Sequence, residues 1–250
     1  MTTLEGTVAL VTGASSGIGA ATAQRLAADG SGVALVARRR DRLEEVAARI
    51  GRGALVVEAD ISDPEQAAGS VERTVAELGR LDLVVNNAGV MLLGPALESP
   101  TEEWERMVAL NVQATLSVTH AALPHLARAA ADSPREVADL IFIGSTAGRV
   151  ARPGGGVYSL TKFGVAAFAE SLRQELIGQR VRVAVVEPGT VDTELVTHLR
   201  AEVREGAERQ VGAIEPLHPT DIADAVAYIA SRPRRVAVNE LLVRAAEQTW

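Results

Sequence analysis

The chain has 250 residues, a net charge of −7, 47% hydrophobic and 23% charged residues, and no cysteine. That length suits one α/β domain or two small ones and can bury a full core without cross-links. The absence of cysteine excludes disulfides, thiolate catalysis and cysteine-ligated metals. The acidic balance and the 3% of aromatic residues argue against nucleic-acid and anionic-membrane partners.

Residues 7–12 are a continuous apolar run, the pattern of a strand covered on both faces. The run leads directly into Thr12-Gly13-Ala14-Ser15-Ser16-Gly17-Ile18-Gly19 and an Ala-rich helix over 17–30. Gly13 permits a tight turn, Gly17 lets backbone approach a pyrophosphate, and Gly19 lets helix and strand pack closely. The helix N-terminus then offers free N–H groups and a positive dipole end to phosphate. Three glycines alone are a modest signal; the strand–loop–helix context strengthens it.

Further strands are expected over 33–37, 54–58, 81–86, 139–143, 181–187 and 240–243. Arg38-Arg39-Arg40 follows the second strand and a helix covers 41–50. Asp60 and Ile61 follow the third strand. Asp63-Pro64-Glu65-Gln66 reads as an N-cap, a Pro in the first turn and a capping Gln. Asn86-Asn87-Ala88-Gly89 ends the fourth strand. Ser99-Pro100-Thr101-Glu102 repeats the capping signal before one long helix to about residue 130, bent at Pro124. Residues 129–135 read as an exposed loop. Ser145 ends the fifth strand, a helix covers 157–177, and Pro188-Gly189 ends the sixth strand. Residues 187–215 are a long connection, with a substrate lid at about 190–215, and a helix follows over 220–231. This alternation implies an α/β fold, a doubly wound, seven-stranded parallel sheet between two helix layers, with 1–250 as a single domain.

Tyr158 and Lys162 stand four apart and share a helix face. An ammonium beside a phenol stabilises the phenolate and lowers its pKa from about 10, so such a tyrosine can exchange a proton near neutrality. A lone Tyr-x-x-x-Lys pair is common by chance. Here it stands beside Ser145, 13 residues upstream, whose hydroxyl can reach the same crevice.

Taken together, Thr-Gly-x-x-x-Gly-x-Gly, Asn-Asn-Ala-Gly, Asn111 in the long helix, Ser145, Tyr158-x-x-x-Lys162 and Pro188-Gly189 occur in order, and the chain resembles the short-chain dehydrogenase/reductase family over essentially its whole length. Residues 91–95, 161–175 and 187–195 are similar to its clavulanic acid dehydrogenase branch, while 129–135 and 152–156 depart from it. The resemblance implies a Rossmann fold and a nicotinamide cofactor. Tyr158 would donate or accept the proton, Ser145 would bind the substrate oxygen, Lys162 would hold the nicotinamide ribose, and Asn111 would anchor a relay water. Gly13, Ser15, Ser16, Gly17, Ile18, Gly19, Arg38, Arg39, Asp60, Ile61, Asn87, Ala88, Gly89, Tyr158, Lys162, Pro188, Gly189, Val191 and Thr193 would contact the cofactor.

NADPH is expected over NADH. NAD users of the family end the second strand with a carboxylate; this chain has Ala37, then Arg38 and Arg39, which can grip a 2′-phosphate. Ser16 stands where many NADPH users carry a basic residue, and Asp41 is expected to offset the arginines. The substrate is expected to be a medium-sized, mostly apolar carbonyl or alcohol compound, lined by Met91, Leu92, Leu93, Val150, Thr190 and Leu195, with Arg149, Glu194 and His198 at the rim. None of His120, His125, His198 and His218 has metal-ligand spacing, and no metal is expected. His120 and His125 read as surface or interface residues. Small apolar faces on the helices over 101–130 and 157–177 imply a homotetramer, or failing that a dimer. Residues 1–6 lack the marks of a signal peptide, so a cytoplasmic location is expected. Trp250 is expected to fray or to dock on a neighbouring subunit. The rivals are an alcohol dehydrogenase using NAD and a non-catalytic nucleotide-binding regulator; the intact Ser145, Tyr158 and Lys162 set argues against the regulator.

Overall fold

The structure is a computed structural model that describes residues 4–133, 135–212 and 214–249. Pro134, in the expected exposed loop, and Trp250 lie outside the described residues.

The strands are β1 (Val8–Thr12), β2 (Gly32–Ala37), β3 (Ala54–Glu58), β4 (Leu83–Asn86), β5 (Ala138–Ile143), β6 (Val181–Pro188) and β7 (Glu240–Val243). All pair in parallel, in the order β3-β2-β1-β4-β5-β6-β7. The helices are α1 (Gly17–Ala28), α2 (Arg40–Ile50), α3 (Pro64–Leu78), α4 (Thr101–Val108), α5 (Ala114–Asp132), α6 (Gly156–Glu175), α7 (Ala201–Val211) and α8 (Pro219–Ala230). This is the doubly wound Rossmann architecture.

Every residue of β1, β4 and β5 is buried, because alternate side chains serve two cores. Leu10, Val36, Val84 and Leu140 pack with Val71 of α3, Val118 of α5 and Val165 of α6. Ala9, Val11, Leu35 and Val85 pack with Leu26 of α1, Val46 of α2 and Val226 of α8. Each core Leu or Val so buried contributes roughly 1.5–3 kcal/mol. The chain's continuous apolar runs, rather than alternating ones, follow from this two-sided burial.

Four expectations change. β4 begins at Leu83 rather than residue 81. There the Asp82 carboxylate accepts the Val8 N–H at 2.9 Å and is clamped by Arg80. The long helix is interrupted at Ala109–Gln113 by a π-helical turn, between α4 and α5, while Pro124 sits inside α5. Asp63 caps α3 as expected, with Pro64 behind it, but Ser99 does not cap α4; its hydroxyl donates to the Pro95 carbonyl. The described residues of 129–135 are not an exposed loop. α5 continues to Asp132, Ala129 and Ala130 are buried, and the buried Arg135 side chain pairs with Asp139. The helical spacing of Ala129 and Ala130 with Leu126 carried that signal.

Candidate active site

The strand order reverses between β1 and β4, and a cleft opens at the C-terminal ends of these strands, where the open α/β sheet leaves a natural binding crevice. Its volume, about 330 Å³, lies at the low end of ligand pockets. Thr193, Glu194, Leu195 and His198 close one side.

Gly13 takes φ +67°, and a Cβ there would lie 2.9 Å from both Ala88 Cα and Asn87 Nδ2, so no other residue turns the chain here without strain. A Cβ on Gly19 would collide with the Gly13 carbonyl; Gly19 is buried in the packing and does not line the cleft. Thr12 and Asn87 brace the loop from behind. Thr12 Oγ1 accepts the Asn87 and Ala88 N–H groups at 3.0 Å each, and Asn87 Nδ2 donates to the Thr12 carbonyl at 2.8 Å. α1 starts at Gly17, so its N-terminal N–H groups face the cleft. A bare backbone cradle on a helix N-terminus fits a pyrophosphate.

Gly13, Ser15, Ser16, Gly17 and Ile18 form one wall. Ala37, Arg38, Arg39, Asp60 and Ile61 follow, then Asn87, Ala88 and Gly89, and finally Pro188, Gly189, Val191 and Thr193. Arg39 Nη2 donates to Ser15 Oγ at 3.0 Å and Ser16 Oγ at 2.9 Å, and its Nη1 pairs with Glu194 at 3.0 Å. Arg38 stands 3.7 Å from Asp60. Among the described residues Asp41 pairs with neither arginine; Asp60 and Glu194 take the part expected of it.

Ser145, Tyr158 and Lys162 meet at the far end. Ser145 follows β5 and caps a short turn through the Ala147 N–H. Tyr158 packs among Val90, Leu92 and Met107. Burial raises the phenol above its ordinary value, with a Ser145 hydrogen bond pulling the other way. This reverses the expected lowering by Lys162. The ammonium instead donates to the Ile143 carbonyl at 2.8 Å and stands 5.8 Å from the Tyr158 ring centre. Burial pulls Lys162 down to about 8.

Asn111 does not line the cleft. Its Oδ1 accepts the Val90 N–H at 2.8 Å, and its Nδ2 donates to the Val90 carbonyl at 2.9 Å and Thr161 Oγ1 at 3.2 Å. The π turn aims Asn111 inward so that it clips the segment after β4 to α6. Its side chain braces the wall.

The expected substrate lining is only partly assembled. Leu195, Glu194 and His198 line the cleft; Met91, Leu92, Leu93, Val150 and Thr190 do not. Arg149 leaves the rim altogether, because Glu187 holds its Nε at 2.8 Å and Glu187 and Glu240 share its Nη2. Arg106 and Leu110 line the cleft without having been expected there; their i, i+4 spacing, running from α4 into the π turn, was the available signal. The long connection after β6 carries secondary structure of its own. It contains a short turn, Glu194–His198, and helix α7. His125 pairs with Glu72, and His218 caps α8. Among the described residues no cluster of His, Cys, Asp or Glu could hold a metal, and no helix is long and apolar enough to cross a membrane.

Residues 7–204 match the short chain dehydrogenase family. The chain is 32% identical over 254 residues to an uncharacterized oxidoreductase of Staphylococcus saprophyticus, covering all of both chains. It is 38% identical over 249 residues to glycine betaine reductase ATRR of Emericella nidulans, covering 98% of this chain but only 19% of that protein. Two solved structures superpose on nearly the whole chain, each at 32% identity. One is a 3-ketoacyl-(acyl-carrier-protein) reductase from Brucella melitensis complexed with NADH, with a TM-score of 0.86, covering 98% of this chain and 99% of that one. The other is a serine dehydrogenase complexed with NADP+, with a TM-score of 0.88, covering 97% and 96%. With the glycine cradle and the buried tyrosine in one cleft, and relatives of matching length on both measures, the chain belongs to the short-chain dehydrogenase family and is an NAD(P)-dependent oxidoreductase.

Proposed function

We propose that the protein is an NADPH-dependent reductase of ketones or aldehydes with Tyr158 as proton donor. The observation that carries this reading is the buried Tyr158 phenol, hydrogen-bonded to Ser145 and held above its ordinary pKa. Such a phenol keeps its proton at neutral pH. It is poised to give that proton to a substrate oxygen, as reduction requires. Ser145 donates to the same oxygen and fixes its position. The oxidative alternative needs the phenolate, which this environment disfavours.

The cradle at Gly13–Gly19 would hold the dinucleotide pyrophosphate. Asp60 and Ile61 would flank the adenosine, Asn87–Gly89 would pass beneath it, and Val191 and Thr193 would close over the nicotinamide side. Lys162 would hold the nicotinamide ribose. The cofactor supplies the hydride. Arg38 and Arg39, with Ala37 before them in the cleft wall, support the choice of NADPH, because a strand-end carboxylate would repel a 2′-phosphate and Ala37 does not. Val90, Leu110 and Leu195 in the wall favour a mostly apolar, medium-sized substrate. Oxidation of NADPH and of NADH against a panel of ketones and aldehydes tests the reading. No turnover with any carbonyl compound, alongside turnover of alcohols with NAD, overturns it.

One cleft brings together the cradle after β1 and Tyr158 of α6, which supports a single catalytic domain. Leu116 on α5 and Leu160 and Phe163 on α6 are exposed, as are Tyr228 on α8 and Leu242 on β7. Two apolar faces on opposite sides support a homotetramer. Light scattering that gives a monomer at micromolar concentration overturns that assembly.

A further inference from the structure

We infer that Glu194 is a cofactor-discriminating residue: its carboxylate holds the lid to Arg39, and it yields that arginine to the 2′-phosphate of NADPH but not to NADH. The inference rests on the NADPH reading above and deepens it.

The lid leaves and rejoins the body at one fixed stem. Val191 bridges to Leu217, with the Asp192 N–H on the Leu217 carbonyl at 2.9 Å and the Leu217 N–H on Thr190 at 3.0 Å. From that stem the chain turns across the cleft. A Cβ on Gly17 would lie 3.2 Å from Thr193 Cγ2, so the lid touches the phosphate loop. The next residue, Glu194, pairs with Arg39 at 3.0 Å while Arg39 also grips Ser15 and Ser16. Arg39, then Ser16, hold the Glu194 carboxyl below its ordinary value, so it is an anion at neutral pH. A carboxylate and a phosphate present the same paired oxygens to a guanidinium fork. Glu194 therefore occupies, on Arg39, the place a 2′-phosphate would take. Burial, then Arg106 and Arg39, push the His198 imidazole, one turn further, below its ordinary value, and His198 lines the same cleft as both arginines.

A second ion pair fastens the lid elsewhere. Arg200 meets Glu103 of α4 at 2.9 Å, and neither residue lines the cleft. The two anchors separate two effects. Loss of the outer anchor loosens the lid, whereas loss of Glu194 loosens the lid and also removes a competitor for Arg39.

The test compares wild type, Glu194→Gln and Glu103→Gln. Dissociation constants for NADPH and NADH come from nicotinamide fluorescence, and lid opening from trypsin cleavage after Arg204 and Arg209 without cofactor. Exposed ion pairs are worth about 0.2–1 kcal/mol, so Glu194→Gln should tighten NADPH about 2- to 5-fold and leave NADH nearly unchanged. Both variants should be cleaved faster than wild type, and Glu103→Gln should keep the wild-type ratio of the two constants. A wild type that prefers NADPH, with Glu194→Gln shifting both cofactors alike or weakening NADPH, overturns the latch alone. A ratio near one in both wild type and Glu194→Gln overturns the NADPH reading and the latch together.

Discussion

The two ends of the cleft are built from opposite materials. At one end Tyr158 is buried against Val90, Leu92 and Met107, with Ser145 and the buried Lys162 beside it in the cleft wall, and burial is the largest influence on both titrating groups. At the other end, beside the phosphate loop, Arg38, Arg39, Asp60 and Glu194 are partly solvent-exposed, with the Arg38 side chain 63% exposed, and they are held by ion pairs and by the hydrogen bonds of Arg39 to Ser15 and Ser16. Low dielectric makes each polar change at the first end costly, whereas water and salt dilute each change at the second. On the proposed reading the chemistry belongs to the buried end and the choice of cofactor to the exposed end, and substitutions should differ in size accordingly.

The largest effect is expected from Tyr158→Phe. It keeps the ring that packs on Val90 and Met107 and deletes the proton donor. Turnover should fall by roughly 10²–10⁴-fold, with NADPH binding retained. Near-normal turnover in single-turnover assays would remove Tyr158 from the mechanism and erase the contrast between the two ends.

Lys162 gives a pH test of the buried end. Its folded pKa, about 8 against an ordinary 10.5, lies below the unfolded value. Between these two values the unfolded chain binds the extra proton, so stability rises with pH across this window and is lowest where both states are protonated. About 2.5 units correspond to about 3 kcal/mol at about 1.36 kcal/mol per unit. Lys162→Met should be the more stable protein by urea titration at pH 7, with the gap closing toward pH 10. A gap that does not change with pH would show that Lys162 is not desolvated.

Asn111→Ala should cost less, about 1–3 kcal/mol for the buried Val90 amide left without its partner. The denaturant midpoint should fall with an unchanged slope. No loss of stability would mean that the clip between Val90 and α6 contributes nothing.

Legibility in the sequence follows the same division. The glycine cradle, the seven strands and the Ser145, Tyr158 and Lys162 set are readable because backbone conformation and two-sided burial restrict which residues fit. Gly13 at φ +67° and the fully buried β1 and β5 leave few alternatives. What escaped reading depends on long-range partners. Nothing near Arg149 in sequence announces Glu187 and Glu240, and nothing near Lys162 announces that its ammonium would choose the Ile143 carbonyl. The π turn at Ala109–Gln113 escaped for a related reason. Its spacing still reads as helix, and only the inward pull of Asn111 on Val90 shows why the helix is wound differently there. Helix α7 escaped because its sequence is largely polar and carries Gly206 in its middle, which lowers helix propensity.

A smaller effect than at the buried end is expected at the exposed end, from Arg38→Ala. Arg38 has its nearest carboxylate, Asp60, at 3.7 Å, a loose pair that leaves the guanidinium free to turn toward a phosphate. Arg39 is already committed to Ser15, Ser16 and Glu194, so Arg38 is the cheaper of the two to recruit. A hydrogen bond to a charged group is worth about 1.5–3 kcal/mol, and exposure moves this one to the lower part of that range, about 10-fold in affinity. The ratio of kcat/KM for NADPH to that for NADH should therefore fall about 10-fold in Arg38→Ala, almost wholly through KM for NADPH, while NADH activity holds. Because the contact is in water, raising ionic strength should narrow the wild-type ratio toward that of the variant, since the Debye length shrinks from about 10 Å at 0.1 M to about 3 Å at 1 M. The Tyr158→Phe defect should ignore salt. If salt leaves the cofactor ratio untouched, the discrimination does not come from the exposed arginines, and Ala37 and the shape of the cleft wall must carry it.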